Sequence, residues 1–187
     1  GDAECSDGVI QNLTSDTTCI ATFDLLQFTL TVTKEGSGSG TVTSNPVGID
    51  CGADCSEDFD VDTVVTLTPV AESGSEFAGW SGNADCDDGI VTTDSAKTCT
   101  ATFNLLQRTL TVNKAGGGDG NITSNPPGIS CNTGCTSDMA DFDINTTIML
   151  TATPDGDSTF SGWSGDADCS DGEVTMDAAK ACIATFT

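Results

Sequence analysis

Thr29-Leu30-Thr31-Val32-Thr33-Lys34 opens a long internal repeat, and the same hexapeptide pattern returns as Thr109-Leu110-Thr111-Val112-Asn113-Lys114. Apolar and polar residues alternate along both copies, and a period of two predicts a strand with one buried face. Threonine suits the exposed face, because its branched Cβ fits the pleat while its hydroxyl stays in water. The pattern therefore predicts the same strand at two places in the chain.

The repeated unit is much longer than this strand. Residues 28–103 return as residues 108–186, and residues 1–23 return only the last third of the same unit. A period of about 80 residues is longer than the 20–50 residues of solenoid repeats, so each unit is expected to be a small domain. We divide the chain into a partial repeat with its joint at 1–27, a first full repeat with its joint at 28–107, and a second full repeat at 108–187.

The remainder of each unit also has the pattern of β structure. Cys99, Ala101 and Phe103 alternate with threonines, whereas no window shows a helical period. Glycine, asparagine, aspartate and proline separate the apolar stretches and indicate turns. We predict an all-β chain of about five or six short strands per unit. The last two strands of a unit are expected to form a hairpin around the turn Asp94–Lys97.

The ten cysteines recur in two kinds of pair. One kind closes a short loop, and the other ties the loop after the tryptophan to the last strand of the unit. Disulfides within these pairs leave no odd thiol, and each is expected to add about 2–4 kcal/mol to a small domain. A zinc site fits poorly because the chain has no histidine. The expected pairs are Cys51 with Cys55, Cys131 with Cys135, Cys86 with Cys99, Cys169 with Cys182 and Cys5 with Cys19, and a swapped connectivity stays open.

Cysteine content and charge restrict the location and the partners of the chain. Oxidised cysteines place it outside a reducing cytosol, at the cell surface or secreted. The chain begins Gly1-Asp2, so we expect either a removed signal peptide or a fragment of a longer protein. No apolar run approaches the about 20 residues of a membrane span, so no membrane insertion is expected. A formal charge of −24, from 29 acids against five bases, disfavours nucleic acid as a partner.

One acidic cluster recurs three times, as in Gly82-Asn83-Ala84-Asp85-Cys86-Asp87-Asp88-Gly89. Closely spaced carboxylates before a glycine turn are used by loops that bind calcium, although this spacing differs from the EF-hand loop. The alternative, which we favour, is an Asx-type turn capped by aspartate side chains. Calcium is thus the one candidate cofactor. Its candidate ligands are Asp2, Glu4, Asp7, Asp85, Asp88, Asp166, Asp168 and Asp171.

The two tryptophans, Trp80 and Trp163, lie in the repeated motif Phe-x-Gly-Trp-Ser-Gly. Exposed tryptophan can stack on sugars, but we favour a core position for both, with the flanking glycines marking a β-bulge. Catalysis has little support, because the chain has no histidine and no tyrosine and its cysteines are expected to be paired. We predict no catalytic residue and no enzyme.

Four motifs run through both full units: L-T-V-x-K, G-x-[VI]-T-S-N-P-x-G-I-x-C, F-x-G-W-S-G and C-x-[AT]-x-F. This string resembles the divergent InlB B-repeat (Listeria–Bacteroides repeat) family over nearly the whole chain. The resemblance implies a secreted or cell-surface bacterial protein with a small β-grasp-like fold, without common catalytic residues, in a role as stalk, adhesion module or spacer. Together with the residue patterns, it leads us to expect tandem small disulfide-stapled β domains, β-grasp-like or small β-sandwich, arranged as a rod.

We therefore expect an extracellular structural repeat protein that forms a rod, stalk or filament. Leu25, Leu26, Leu105 and Leu106 are expected to be buried between units and to hold them at a fixed angle. The partial repeat would expose Ile20 and Phe23, through which copies of the chain could polymerise head to tail by strand or hairpin addition. The alternative is an adhesin-type module that binds a glycan or a host protein.

Overall fold

Strands form almost all of the regular structure in this computed structural model, which describes Asp16 and residues 18–187. Within these residues there is no α-helix, and only two 3-10 segments, Ala84–Cys86 and Ala167–Asp171, interrupt the β structure. The predicted all-β class is confirmed. Residues 18–26 contain no assigned strand.

The first full unit contains seven strands. Its central strand β7 runs directly toward the second unit, with one residue between β7 and the next strand. The strands are β1 Gln27–Glu35, β2 Gly40–Asn45, β3 Ser56–Asp60, β4 Val64–Ala71, β5 Ser75–Gly82, β6 Ile90–Thr92 and β7 Lys97–Leu105.

The second unit repeats this order and adds one short strand, β10. The strands are β8 Gln107–Gly116, β9 Gly120–Asn125, β10 Ser130–Cys131, β11 Ser137–Asp143, β12 Thr147–Pro154, β13 Phe160–Gly165, β14 Glu173–Thr175 and β15 Lys180–Phe186.

Each unit folds as two sheets around one core. In the first unit the sheets have the orders β3-β1-β7-β5 and β2-β4-β6; in the second they have the orders β11-β8-β15-β13 and β10-β9-β12-β14. Leu30 and Val32 of one sheet and Val42 and Val65 of the other belong to the same buried cluster. This arrangement matches the small β-sandwich among the expected folds, because two layers bury their apolar faces against each other.

The pairing of the central strands is parallel in both units. β1 pairs with β7 from Leu30 opposite Lys97 to Glu35 opposite Thr102. β8 pairs with β15 in the same way. The remaining pairs are antiparallel, and the register shifts between Phe77 and Gly79, where the expected β-bulge occurs.

The predicted hairpin at the end of each unit is wrong. β6 pairs with β4 in one sheet, whereas β7 pairs with β1 and β5 in the other. The turn before β7 therefore crosses between the two layers of the sandwich. Lys97, expected in this turn, instead begins β7 and is buried. The part of a full unit that residues 1–27 repeat in sequence thus supplies strands to two different sheets rather than one hairpin.

The second unit carries three additional residues near Met139-Ala140-Asp141. They lie within β11, and this strand pairs with β8 from Ser137 to Asp143. The additional residues therefore extend an edge strand instead of a loop, and Met139 is exposed on it.

Candidate functional site at the joint between the units

The joint consists of a single residue, Leu106, between the last residue of β7 and the first residue of β8. Its N–H donates a hydrogen bond to the carbonyl oxygen of Gly74 in the first unit at 2.9 Å. Its carbonyl oxygen accepts a hydrogen bond from the N–H of Ile144 in the second unit at 2.7 Å. One residue is thus bonded to both units, and both of its backbone polar groups are used.

The joint is also partly shielded from solvent. Leu105 and Leu106 are both half-buried, and the N–H of Leu105 donates to the Ser37 hydroxyl at 3.1 Å. Gly74 has φ +83°, and a Cβ at this position would lie 3.3 Å from the Cγ2 of Ile144. The small residue in the first unit therefore lets an apolar side chain of the second unit come close.

A polar cleft of about 450 Å³ lies beside the joint. It contains two carboxylates, Glu76 and Asp143, and no lysine or arginine. The Gln107 side chain donates to the Asp143 carboxylate at 3.4 Å across the start of β8. The two carboxylates allow the cleft to accept hydrogen bonds. Its remaining lining residues are Ser37, Asn104, Leu105 and Leu106.

The residues that precede the first unit repeat the hydrogen bond that the joint makes with the unit after it. The carbonyl of Leu26 accepts from Val61 N–H at 2.7 Å, as Leu106 does from Ile144. Leu25 and Leu26, which we expected to be buried between units, are instead 67% and 62% exposed, whereas Leu105 and Leu106 are half-buried. Ile20 and Phe23, the expected assembly residues, are 72% and 91% exposed. The segment therefore presents an apolar surface to solvent.

A lysine pairs with part of the acidic cluster in each unit, and Lys97 is buried whereas Lys180 is partly buried. Lys97 Nζ lies 2.6 Å from Asp85 Oδ2 and 2.9 Å from Asp94 Oδ1, and it donates to the Thr92 carbonyl at 2.6 Å. The hydrogen bond that Lys97 donates to Asp85 is the main cause that raises the pKa of Lys97. Its counterpart Lys180 contacts Asp168 and Asp177 at 3.3 and 2.7 Å. Both candidate calcium ligands Asp85 and Asp168 therefore bind a lysine.

The other described candidate ligands, Asp88, Asp166 and Asp171, accept hydrogen bonds from backbone N–H groups. Asp88 accepts from Ile90 at 2.9 Å and Asp171 accepts from Glu173 at 3.0 Å, two residues on in each case. This is the geometry of an Asx turn. Asp166 accepts from Ala181 N–H at 2.6 Å.

No group of three or more metal-binding side chains converges in Asp16 and residues 18–187. Asp2, Glu4 and Asp7 lie outside the described residues, and calcium stays a prediction.

Four disulfides staple the two full units in the expected pairs. Cys19 is also disulfide-bonded, and Cys5 lies outside the described residues. The bonds join Cys51 to Cys55, Cys86 to Cys99, Cys131 to Cys135 and Cys169 to Cys182.

The tryptophans lie at the margin of each core. Trp80 packs edge-on against Phe77 with ring centroids 5.4 Å apart, and Trp163 packs against Phe160 at the same distance. Both indoles are half-buried, so one part of each ring remains in contact with solvent. They act in packing and also offer a small aromatic surface at equivalent places in the two units.

The repeat in the sequence did not indicate that Gly74 and Ile144 meet at the joint. Gly74 aligns with Asp157 in the second unit, so the comparison of repeats gives no signal there. Ile144 aligns with Val61. The presence of an apolar residue at both positions, just before a turn, is the signal that could have indicated the contact of Ile144 at the joint.

Comparison with known proteins gives one family match. The model of the divergent InlB B-repeat domain matches residues 28–107 and 109–187. No curated protein matches the chain. In the part of the chain described by the structure, no helix is both long and apolar enough to cross a membrane.

Among solved structures, the chain is similar to the Bacillus anthracis TIE protein with 9% identity and a TM-score of 0.48, over 86% of this chain and 34% of that chain. It thus spans about a third of that protein's length. It is also similar to the major pilin protein T-13 of Streptococcus pyogenes, with 12% identity and a TM-score of 0.38, over 86% of this chain and 96% of that one. The minor pilin GBS52 of Streptococcus agalactiae matches at 9% identity and a TM-score of 0.26, over 84% of this chain and 94% of its own.

Proposed function

Because the chain belongs to the divergent InlB B-repeat family, we propose that it is a non-catalytic extracellular structural repeat protein. It acts as a rod or stalk that fixes the distance between the structures at its two ends. The observation that carries this proposal is the joint, where Leu106 is hydrogen-bonded to Gly74 of one unit and Ile144 of the next. A one-residue connection with both polar groups bonded leaves the units little freedom to turn.

The disulfides support an extracellular or cell-surface location. Four are formed within the two full units, and such bonds persist in oxidising compartments. The large negative charge favours solubility, because molecules of like charge repel each other. It also argues against nucleic acid as the partner.

Small-angle X-ray scattering on three variants tests the rigid joint. Ile144→Asp places a charge against Gly74 and should loosen the units, with a broader distance distribution than the wild type. Val61→Asp is the matched control, because Val61 occupies the equivalent place in the first unit, away from the joint. A flexible Gly-Ser insertion after Leu106 gives the reference for freely hinged units.

Circular dichroism checks that both aspartate variants keep their β structure. If wild-type scattering equals that of the Gly-Ser variant, the units are independent and the rod proposal fails.

We further propose that copies of the chain polymerise through residues 18–26. Cys19, Ala21 and Phe23 align with Cys99, Ala101 and Phe103, whose side chains are buried in the centre of the first unit. The exposed segment therefore has the pattern of a strand that buries one face. The partner that fits is a second copy of the chain, whose edge strands offer free backbone groups for strand addition. A head-to-tail contact of this type gives filaments unless it closes a ring.

Electron microscopy at high protein concentration tests polymerisation. We expect ordered fibres for the wild type and none for Phe23→Asp. Val47→Asp is the control, because Val47 is equally exposed, at 94%, but lies in a turn of the first unit. Isolated short particles of the wild type at every concentration would overturn the polymer proposal and leave the rod proposal intact.

The second candidate function is an adhesin-type module for a glycan or a host protein. The half-buried Trp80 and Trp163 favour it, because indole faces stack on sugars and these two recur at equivalent places. A glycan array probed with the wild type and with Trp80→Leu/Trp163→Leu tests it. Binding that the double variant loses would favour the adhesin, whereas equal or absent binding by both proteins would exclude a role for these rings.

A further inference from the structure

We infer that each unit is a mechanical clamp: the strands by which the chain enters and leaves it are adjacent and parallel, so that tension along the chain loads their hydrogen bonds in shear. This inference deepens the proposed structural role and rests on it for the origin of the load. Resistance to force is a property that a spacer fixed at both ends needs, and the strand order supplies it.

The entry and exit strands of the first unit are β1 and β7. The chain enters β1 at Gln27 and leaves β7 at Leu105, and the paired region between the two strands runs from Leu30 opposite Lys97 to Glu35 opposite Thr102. Tension pulls β1 toward its first residue and β7 toward its last. Because the strands are parallel, these two pulls are opposed along the same line, and all bonds of the ladder carry the load together.

The two clamp strands are shielded on both sides. The order β3-β1-β7-β5 places them in the middle of the sheet, with an antiparallel neighbour covering each outer edge. Their inward side chains are buried, including Leu30 and Ala101 at 0% and Phe103 at 1% exposure. Sliding one strand past the other would therefore break shielded hydrogen bonds and disrupt the packed core at the same step.

The second unit has the same device. β8 and β15 are parallel from Leu110 opposite Lys180 to Gly116 opposite Phe186, and they too are the two inner strands of their sheet. The joint passes force from one clamp to the next, because only Leu106 separates β7 from β8. The strand order thus places the two clamps in series.

The disulfides limit how far a ruptured unit can extend. Cys99 lies in clamp strand β7 and is bonded to Cys86, thirteen residues earlier, and Cys51 is bonded to Cys55, four residues later. At about 3.6 Å per extended residue, these two loops withhold about 50 Å of chain from each stretched unit. When a clamp ruptures, the unit would therefore lengthen by less than a unit of the same size without disulfides.

Single-molecule force spectroscopy with two attachment geometries on the full chain tests the clamp. Handles at Gln27 and Gln107, both exposed, pull the first unit in shear. Handles at Glu76, also exposed, and Gln107 load the antiparallel β5 and β7 from one end, where Glu76 is paired with Asn104. In this second geometry the bonds break one after another. We expect the rupture force to be several-fold higher for the first pair at the same loading rate, and equal forces would overturn the inference.

A matched pair of substitutions provides a second readout. Thr33 Oγ1 lies 2.7 Å from Thr100 Oγ1 across the clamp, whereas Thr29 Oγ1 donates to Asp58 at 2.5 Å on the edge side of the same strand. We expect Thr33→Val to lower the shear rupture force and Thr29→Val to leave it unchanged, while urea unfolding measures any loss of stability common to both. If the shear rupture force changes only in proportion to the stability measured in urea, whichever threonine is replaced, the result would contradict the clamp.

Reduction of the disulfides should lengthen each shear extension of the first unit by about 50 Å. An unchanged length would show that the loops are not withheld under load. Failure of these force tests leaves the scattering test of the joint unaffected, so a rigid spacer without mechanical clamps is a distinguishable result.

Discussion

Lys97 Nζ and Asp85 Oδ2 lie 2.6 Å apart, with 6% of the lysine side chain and 41% of the aspartate side chain exposed. The pair joins the start of β7 to the 3-10 segment that carries Cys86. The hydrogen bond from Lys97 is the main cause that lowers the pKa of Asp85. The reciprocal bond raises the pKa of Lys97. The pair thus contributes to stability from above the ordinary aspartate pKa of about 4 until the pH rises through the raised lysine pKa.

Lys97→Met should destabilise the first unit. The change leaves two aspartates close together and removes the partner of the Thr92 carbonyl, and we expect a loss of about 1.5–3 kcal/mol in the free energy of unfolding. Urea unfolding at neutral pH measures it. Lys34→Met is the control, because Lys34 is exposed and its Nζ donates a hydrogen bond to the Gly40 carbonyl at 3.0 Å. Equal losses for the two variants would show that the buried cluster adds nothing.

Acid should weaken the second unit through Asp119. The Lys114 hydrogen bond, followed by those from the N–H groups of Gly134 and Gly120, lowers the pKa of Asp119 to about 2. Since the folded pKa lies below the unfolded value of about 4, the stability is complete above this value and is lost as the pH falls toward about 2. We expect the free energy of unfolding of Asp119→Asn, measured by urea titration, to fall less than that of the wild type across this pH window. Parallel curves for the two proteins would contradict the assignment.

The two kinds of disulfide should differ in their contribution. Loop-closure entropy predicts about 3 kcal/mol for the Cys86 bond to Cys99 and about 2 kcal/mol for the Cys51 bond to Cys55, because the first closes a longer loop. Paired Cys→Ala variants compared by urea unfolding give both values. A larger loss from the shorter loop would show that native packing, and not chain entropy, dominates.

Gly40→Ala should strongly destabilise the first unit. A Cβ at Gly40 would lie 2.3 Å from the Phe103 ring, and Gly120 has the same relation to Phe186 at 2.4 Å. Overpacking of this kind costs about 1–3 kcal/mol. Gly117→Ala is the control, because a Cβ there meets nothing within 4 Å. Thermal unfolding followed by circular dichroism should show a lower midpoint for Gly40→Ala only, and an unshifted midpoint would mean that the ring can move aside.

The repeated acidic cluster leaves calcium binding and an Asx-type turn as alternatives, and calorimetry on the full chain distinguishes them. We expect no saturable heat at millimolar calcium, because Asp85 and Asp168 bind lysines and Asp88 binds a backbone N–H. Saturable heat that Asp88→Asn/Asp171→Asn removes would instead establish calcium at these turns. Asp58→Asn, on the edge strand β3, is the control for nonspecific attraction to the acidic surface.

The alternation of residues predicted which faces of the strands are buried. Leu30 and Val32 are buried and Thr29 and Thr33 are exposed, as a period of two requires. The repeated spacing of cysteines likewise predicted the four described pairs, because local loops bring them together. The bulge at Phe77 and Gly79 followed from a glycine beside two aromatic residues. These features depend on neighbours in sequence, and sequence patterns report them well.

Strand partners depended on contacts between distant residues. Parallel and antiparallel strands show the same alternation, so nothing in β1 or β7 indicated that they pair with each other in parallel. The turn at Asp94 looked like a hairpin, yet its two flanking strands belong to opposite sheets. The burial of Lys97 and the approach of Ile144 to Gly74 follow from that layer exchange and from the one-residue joint.

The sequence by itself determined the β class, the repeat and the buried faces, and it predicted the disulfide pairs, since each depends on a short stretch of chain. Only the tertiary structure decided the strand order, the parallel inner pair and the contacts of Leu106 with both units. These depend on how two sheets close over one core, where many weak contacts between residues far apart in sequence select one arrangement among several that the local pattern allows.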